Sequence, residues 1–176
     1  MDLSEIVKIL VLSTSAFVLA LLATPILTHF LYKYKLGKQI RDGASAPIMS
    51  RLHQAKSGTP TMGGVLIWGS TTTLALLFYY LSTSGITSNF LNFLDRGETW
   101  LPLGVLVSSA LVGLIDDWFN VKGLGPKGGG IRMRYKLLIY TAIAVVGALW
   151  FYFKLDWTTL YIPIIGSLDI GWWYIP

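Results

Sequence analysis

Four runs of apolar residues, each close to the length at which a helix crosses a bilayer, dominate this sequence. A hydrocarbon core of about 30 Å needs roughly 20 residues of helix. The runs cover residues 6–32, 62–81, 100–117 and 137–153, and the text turns apolar again over 159–176, which we take as the start of a fifth span. Of the 176 residues 53% are hydrophobic and only 13% charged, too little polarity to cover a surface facing water. The fold class expected is therefore all-α, a polytopic transmembrane helical bundle making one membrane domain over 1–176. No repeat, heptad pattern or low-complexity tract interrupts it.

The loops give an orientation. Lys33, Lys35, Lys38, Arg41, Arg51 and Lys56 separate spans one and two, and Lys122, Lys127, Arg132, Arg134 and Lys136 separate spans three and four. The other connections balance Arg96 against Asp95 and Glu98, and Lys154 against Asp156 and Asp169. Positive residues stay inside, so the two basic loops are expected in the cytoplasm and the N-terminus outside. Trp100, Trp118, Trp150 and Trp157 fall near the span ends, where amphipathic rings meet headgroups. Nothing like a small-residue cleavage site follows span one, which reads as an uncleaved helix kinked at Pro25. The net charge of +5 is thus explained by topology and calls for no nucleic-acid partner. With no cysteine, disulfides, thiolate metal sites and a cysteine nucleophile are excluded.

Asp116 and Asp117 close span three. Carboxylates at a bilayer edge are expensive and tend to be functional, although a hydrophilic helix cap is the plain alternative. Neighbours on a helix point about 100° apart, so one carboxylate can face a metal while the other orients a nucleophile or supporting group. Oxygen ligands suit Mg²⁺, which commonly bridges one or two carboxylates to substrate phosphates, and Lys56, Lys122, Lys127, Arg132, Arg134 and Lys136 share that face. Between the last aspartate and Arg132, Gly123, Gly125, Pro126 and Gly128 to Gly130 make a pliable loop, which a plain linker would equally explain.

A second constellation, His53-Gln54-Ala55-Lys56-Ser57-Gly58-Thr59-Pro60-Thr61-Met62-Gly63-Gly64, leads into span two. Its glycines allow close approach of backbone to phosphate, Lys56 offers a point charge, and Thr59 and Thr61 offer hydroxyls. It lacks Walker spacing, and a basic interfacial turn with capping threonines is the bland reading. His53 is well placed but ambiguous; His29, near the inner end of span one, snorkels to the headgroups. No charged residue sits mid-span, which argues against a transporter.

The run from His53 to Gly64, the preceding Lys38-Gln39-Ile40-Arg41-Asp42-Gly43 and Gly113-Leu114-Ile115-Asp116-Asp117 closely resemble the phospho-N-acetylmuramoyl-pentapeptide transferases of the polyprenyl-phosphate N-acetylhexosamine-1-phosphate transferase superfamily. Arg134-Tyr135-Lys136 and the stretch from Asp169 to Pro176 fit the same family. The resemblance implies a Mg²⁺-dependent enzyme of the bacterial cytoplasmic membrane. It would transfer phospho-N-acetylmuramoyl-pentapeptide from UDP-MurNAc-pentapeptide to undecaprenyl phosphate, giving lipid I and UMP in peptidoglycan synthesis. Carried onto this chain, it makes Asp116 and Asp117 the catalytic and metal-binding aspartates and Lys56, Thr61 and Lys136 cleft residues; Thr59 and His53 join them as substrate contacts on the chemistry of their own run.

The family is longer. Its later Asn/Asp-rich motif, which supplies a further metal-binding aspartate, and its His-rich loop are missing here, so the chain resembles an N-terminal half expected to be inactive alone. Extra residues around Ala44 to Ser50, the glycine-rich loop and Asn120, where the family often has lysine, are its departures. Homodimerisation is a family expectation. The competing readings are a sibling N-acetylglucosamine-1-phosphate transferase and a noncatalytic truncated paralogue that binds lipid phosphate.

Overall fold

The computed structural model describes residues 3–37, 59–87, 89–126, 129–164 and 166–175. Four long helices carry it: α1 (Leu3–Lys33), α2 (Val65–Thr83), α3 (Gly97–Val121) and α4 (Met133–Leu155). Their 31, 19, 25 and 23 residues rise about 46, 28, 38 and 35 Å, enough to cross a bilayer core. All four are long and apolar enough to be membrane spans, and at most 11% of any apolar window is buried inside the chain. Side chains such as Phe17, Leu22, Ile67, Leu138 and Val146 are exposed. Water does not tolerate so continuous an apolar surface and lipid requires it; the chain is a membrane protein with an all-α bundle.

The helices pack in chain order, α1 on α2, α2 on α3 and α3 on α4. α1 runs through Pro25, where Thr24 and Thr28 return their hydroxyls to the carbonyls of Ala20 and Thr24 at 2.7 and 2.9 Å. In α2, Thr71 does the same to Ile67 at 2.9 Å. Gly147 lets α4 approach α3 closely: a methyl there would rest 3.8 Å from both Leu101 and Val105.

The end of the bundle away from the basic loops is pinned by the α2–α3 connection. Leu94, 2% exposed, plugs between Ala75 and Leu103, with Tyr79 and Leu106 around it. The Leu94 backbone is satisfied on both sides, its N–H donating to Asn92 Oδ1 at 3.0 Å and its carbonyl accepting from Trp100 Nε1 at 3.1 Å. Trp100 in turn meets the edge of Tyr79 at 5.3 Å.

The stretch expected to start a fifth span is different. It folds as an antiparallel hairpin, β1 (Thr159–Ile162) with β2 (Gly166–Asp169), followed by a short 3₁₀ turn over Gly171–Tyr174. Pro163 cannot donate within a helix, and Gly166 and Gly171 take φ of +98° and +50°, so the apolar text around Tyr161 to Ile164 is folded back on itself. The turn packs on the end of α4 through Tyr152 with Trp172 and Phe151 with Tyr174.

Candidate active site at the basic end of the bundle

At the opposite end three segments converge: the exit of α1, the entry to α2, and the C-terminal turns of α3 with the loop that follows. The α2 entry is tied to α1 by an isolated antiparallel bridge between Gly37 and Pro60 and by the Thr61 amide donating to the Leu36 carbonyl at 3.0 Å. Met62 then turns through φ +71° with its side chain buried. A left-handed unbranched residue costs of order 1 kcal/mol, and it persists here because both sides of the turn are held. Gly63 and Gly64 follow, exposed, with no described residue within 4 Å of where a side chain would begin, so among the described residues nothing covers the first turn of α2.

α3 continues to Val121, one turn past the aspartates, which lie within the helix rather than at its tip. Their 100° separation sends them to different partners. Asp116 faces the loop and α4. Its Oδ1 accepts the Ile131 amide at 2.7 Å, and its Oδ2 accepts Lys136 Nζ at 2.6 Å and Asn120 Nδ2 at 3.3 Å. The Lys136–Asp116 pair, with side chains 27% and 16% exposed, is the one ion pair among the described residues. Asp117 faces the α2 entry, where its Oδ2 accepts the Met62 amide at 3.2 Å. Its other oxygen has no hydrogen bond among the described residues.

Among the described residues the site therefore holds two unlike carboxylates, one meeting a lysine and two neutral donors, one tethered by a single amide. Beside the second, Thr61 Oγ1 is buried with no partner among the described residues, an arrangement that costs free energy unless something else meets the hydroxyl. Among the described residues no three His, Asp or Glu side chains cluster. Mg²⁺ commonly takes one or two protein carboxylates and completes its shell with water and phosphate oxygens, so the donor set around Asp117 fits such an ion in the company of a phosphate-bearing substrate.

Of the residues singled out from sequence, Asp116 and Lys136 are joined directly, and Asp117 is joined to the segment bearing Thr59 and Thr61. Lys56 and His53, with Lys38 to Gly43 and Lys127, lie outside the described residues. Lys122 turns away to lie over the Trp118 ring at 5.1 Å. Arg132 and Arg134 are exposed. Sequence reasoning did not find the roles of Asn120, Ile131 and the Met62 amide. The i, i+4 spacing of Asp116 and Asn120 was a usable signal for the first; backbone donors leave none.

Residues 56–67, which run through the α2 entry, match the phospho-N-acetylmuramoyl-pentapeptide-transferase signature 1. The chain is similar to phospho-N-acetylmuramoyl-pentapeptide-transferases of Chloroflexus aggregans, at 37% identity, and Chloroflexus aurantiacus, at 36%, each over 98% of this chain and 43% of the relative. The protein of that description from Listeria innocua is 30% identical over 91% of this chain and 44% of its own length. The chain thus spans less than half the length of the curated relatives it matches. No solved structure matches it.

Proposed function

We propose that this chain, a homologue of the phospho-N-acetylmuramoyl-pentapeptide transferases, works in the transfer of phospho-N-acetylmuramoyl-pentapeptide from UDP to undecaprenyl phosphate, giving lipid I and UMP. The observation that carries this reading is Asp117 held by the Met62 amide, which sets a carboxylate, its other oxygen without a hydrogen bond among the described residues, against the signature segment and the exposed glycines of α2. In the reaction an oxygen of the lipid phosphate bonds to the sugar-bearing phosphorus, the bridging P–O bond of the diphosphate breaks, and its electron pair leaves on UMP.

Each residue has a task in that exchange. The open backbone at Gly63 and Gly64 admits the diphosphate, and Lys136 presents its remaining N–H donors to phosphate oxygens. The Thr61 hydroxyl hydrogen-bonds substrate, with Lys56, Thr59 and His53 contributing from the same segment as the resemblance implies. Asp117 is the residue that would hold Mg²⁺, which when bound neutralises charge on the phosphates. The basic end faces the cytoplasm of a bacterium, where a nucleotide-linked sugar is available, while the apolar helices keep the lipid carrier in reach.

Lipid I formation from radiolabelled UDP-MurNAc-pentapeptide tests this in a full-length protein containing the chain, with Mg²⁺ and after chelation, for wild type and Asp117→Asn. Loss of a group that stabilises developing phosphate charge is worth several kcal/mol, so kcat should fall about 100-fold or more. Normal lipid I synthesis by Asp117→Asn would sink the assignment. Adding unlabelled UDP-N-acetylglucosamine separates the sibling transferase, because that enzyme's product formation would be competed away.

A further inference from the structure

We propose that Asn120 and Gly130 are positioning residues that lock Asp116 onto Lys136, fixing the carboxylate and the ammonium as one unit beside Asp117. This deepens the transferase reading and depends on it only for the kinetic arm of the test.

Asn120 is buried, 8% exposed, on the face of α3 one turn beyond Asp116. Its Nδ2 donates both to the Asp116 carbonyl at 2.8 Å and to the carboxylate at 3.3 Å, so it fixes the side chain relative to its own backbone. The second half of the clamp is the glycine loop. Gly130 takes φ +75°, and a side chain there would collide with the Asp116 carboxylate and the Asn120 amide. Gly125, at φ +108°, leaves no room for a side chain against the Gly130 carbonyl, and the Gly130 amide closes the turn on the Leu124 carbonyl at 3.1 Å. Only with glycine at both points can the loop lie this close to α3 and deliver the Ile131 amide to Asp116.

The result is a carboxylate meeting three donors, one of them charged. An ammonium on a four-carbon stem is otherwise free to wander, and pinned at 2.6 Å it keeps two N–H groups aimed from a fixed point. Its charge is balanced by Asp116, and Asp117 stands beside the pair on the α2 side.

The test is lysine acylation footprinting by mass spectrometry, beside hydrogen exchange at Ile131, on the full-length protein in detergent. Wild type is compared with Asn120→Leu, which matches the shape of asparagine without its donor, and with Gly130→Ala. Lys136 acylation and Ile131 exchange should each rise about fivefold, the factor that goes with losing one hydrogen bond, while Lys122 and Lys154 keep their wild-type rates. In the transfer assay kcat should drop about 10- to 100-fold with KM within about threefold, because the substrate is still held but its charge partner is displaced. Unchanged Lys136 labelling and Ile131 exchange in a folded Asn120→Leu protein would overturn the proposal, even where Gly130→Ala fails to fold. Raised labelling and exchange in Asn120→Leu, beside a wild-type protein that makes no lipid I, would uphold the clamp and reject the transferase reading.

Discussion

Replacing Asp116 by asparagine removes a charge and almost no volume, which makes it a clean probe of the carboxylate division described above. The amide can accept the Ile131 N–H through one atom, but then its NH₂ faces the Lys136 ammonium and the Asn120 amide; flipped, it faces Ile131. Either way a donor meets a donor. A hydrogen bond to a charged group contributes about 1.5–3 kcal/mol when protected. Because the two side chains are 16% and 27% exposed, water recovers part of that, and we expect a loss of about 1–2 kcal/mol. For a chain of this size 1 kcal/mol moves the midpoint by about 2–4 °C, so Asp116→Asn should melt about 2–8 °C lower. The seven tryptophans supply the signal for thermal unfolding in detergent. Asp117→Asn keeps an oxygen for the Met62 amide and should stay within about 0.5 kcal/mol of wild type. A double-mutant cycle with Lys136→Met isolates the pair and should return about 1 kcal/mol of coupling. Equal destabilisation by the two asparagine variants, or a cycle that closes to zero, would refute the reasoning.

Other changes follow from the packing. Leu94→Ala empties the plug between α2 and α3 and should lose about 2–4 kcal/mol by thermal melting, while Trp100→Phe, which strands the Leu94 carbonyl, should lose about 1–2. Gly147→Ala should be tolerated, since its methyl makes ordinary contacts at 3.8 Å, whereas Gly147→Leu should overpack the α3–α4 seam by about 1–3 kcal/mol, read as a lower melting midpoint. Thr61→Val removes a buried hydroxyl that has no partner among the described residues; melting should be unchanged or up to about 1 kcal/mol more stable, while lipid I formation falls. Full activity in that variant would remove Thr61 from the substrate contacts.

The four spans were legible because bilayer thickness sets a long, one-dimensional requirement that local text must meet by itself. Asp116, Asp117 and Lys136 stood out because charge beside a membrane span is rare. Their pairing was not legible: Lys136 lies 20 residues from Asp116, and Met62 lies 55 from Asp117, and which carboxylate takes which partner depends on helix rotation and on how closely Gly130 lets the loop approach. The hairpin over 159–169 was read as a span because its strands are four residues each, too short for an alternating pattern to outweigh apolar content. Pro163 and Gly166 carried the contrary signal.

Chain order gives the two aspartates different histories. Met62 has already been made when α3 leaves the ribosome, so the amide that Asp117 accepts precedes it. Every side-chain and loop partner of Asp116 among the described residues lies downstream, the last of them Lys136, 20 residues later. At about 5–20 residues per second that interval lasts about 1–4 s, during which α3 carries an uncompensated carboxylate at the membrane edge. Emergence of the first turn of α4 is the event that brings Lys136 to Asp116, and the pace of synthesis over residues 117–136 sets how long the carboxylate waits for it.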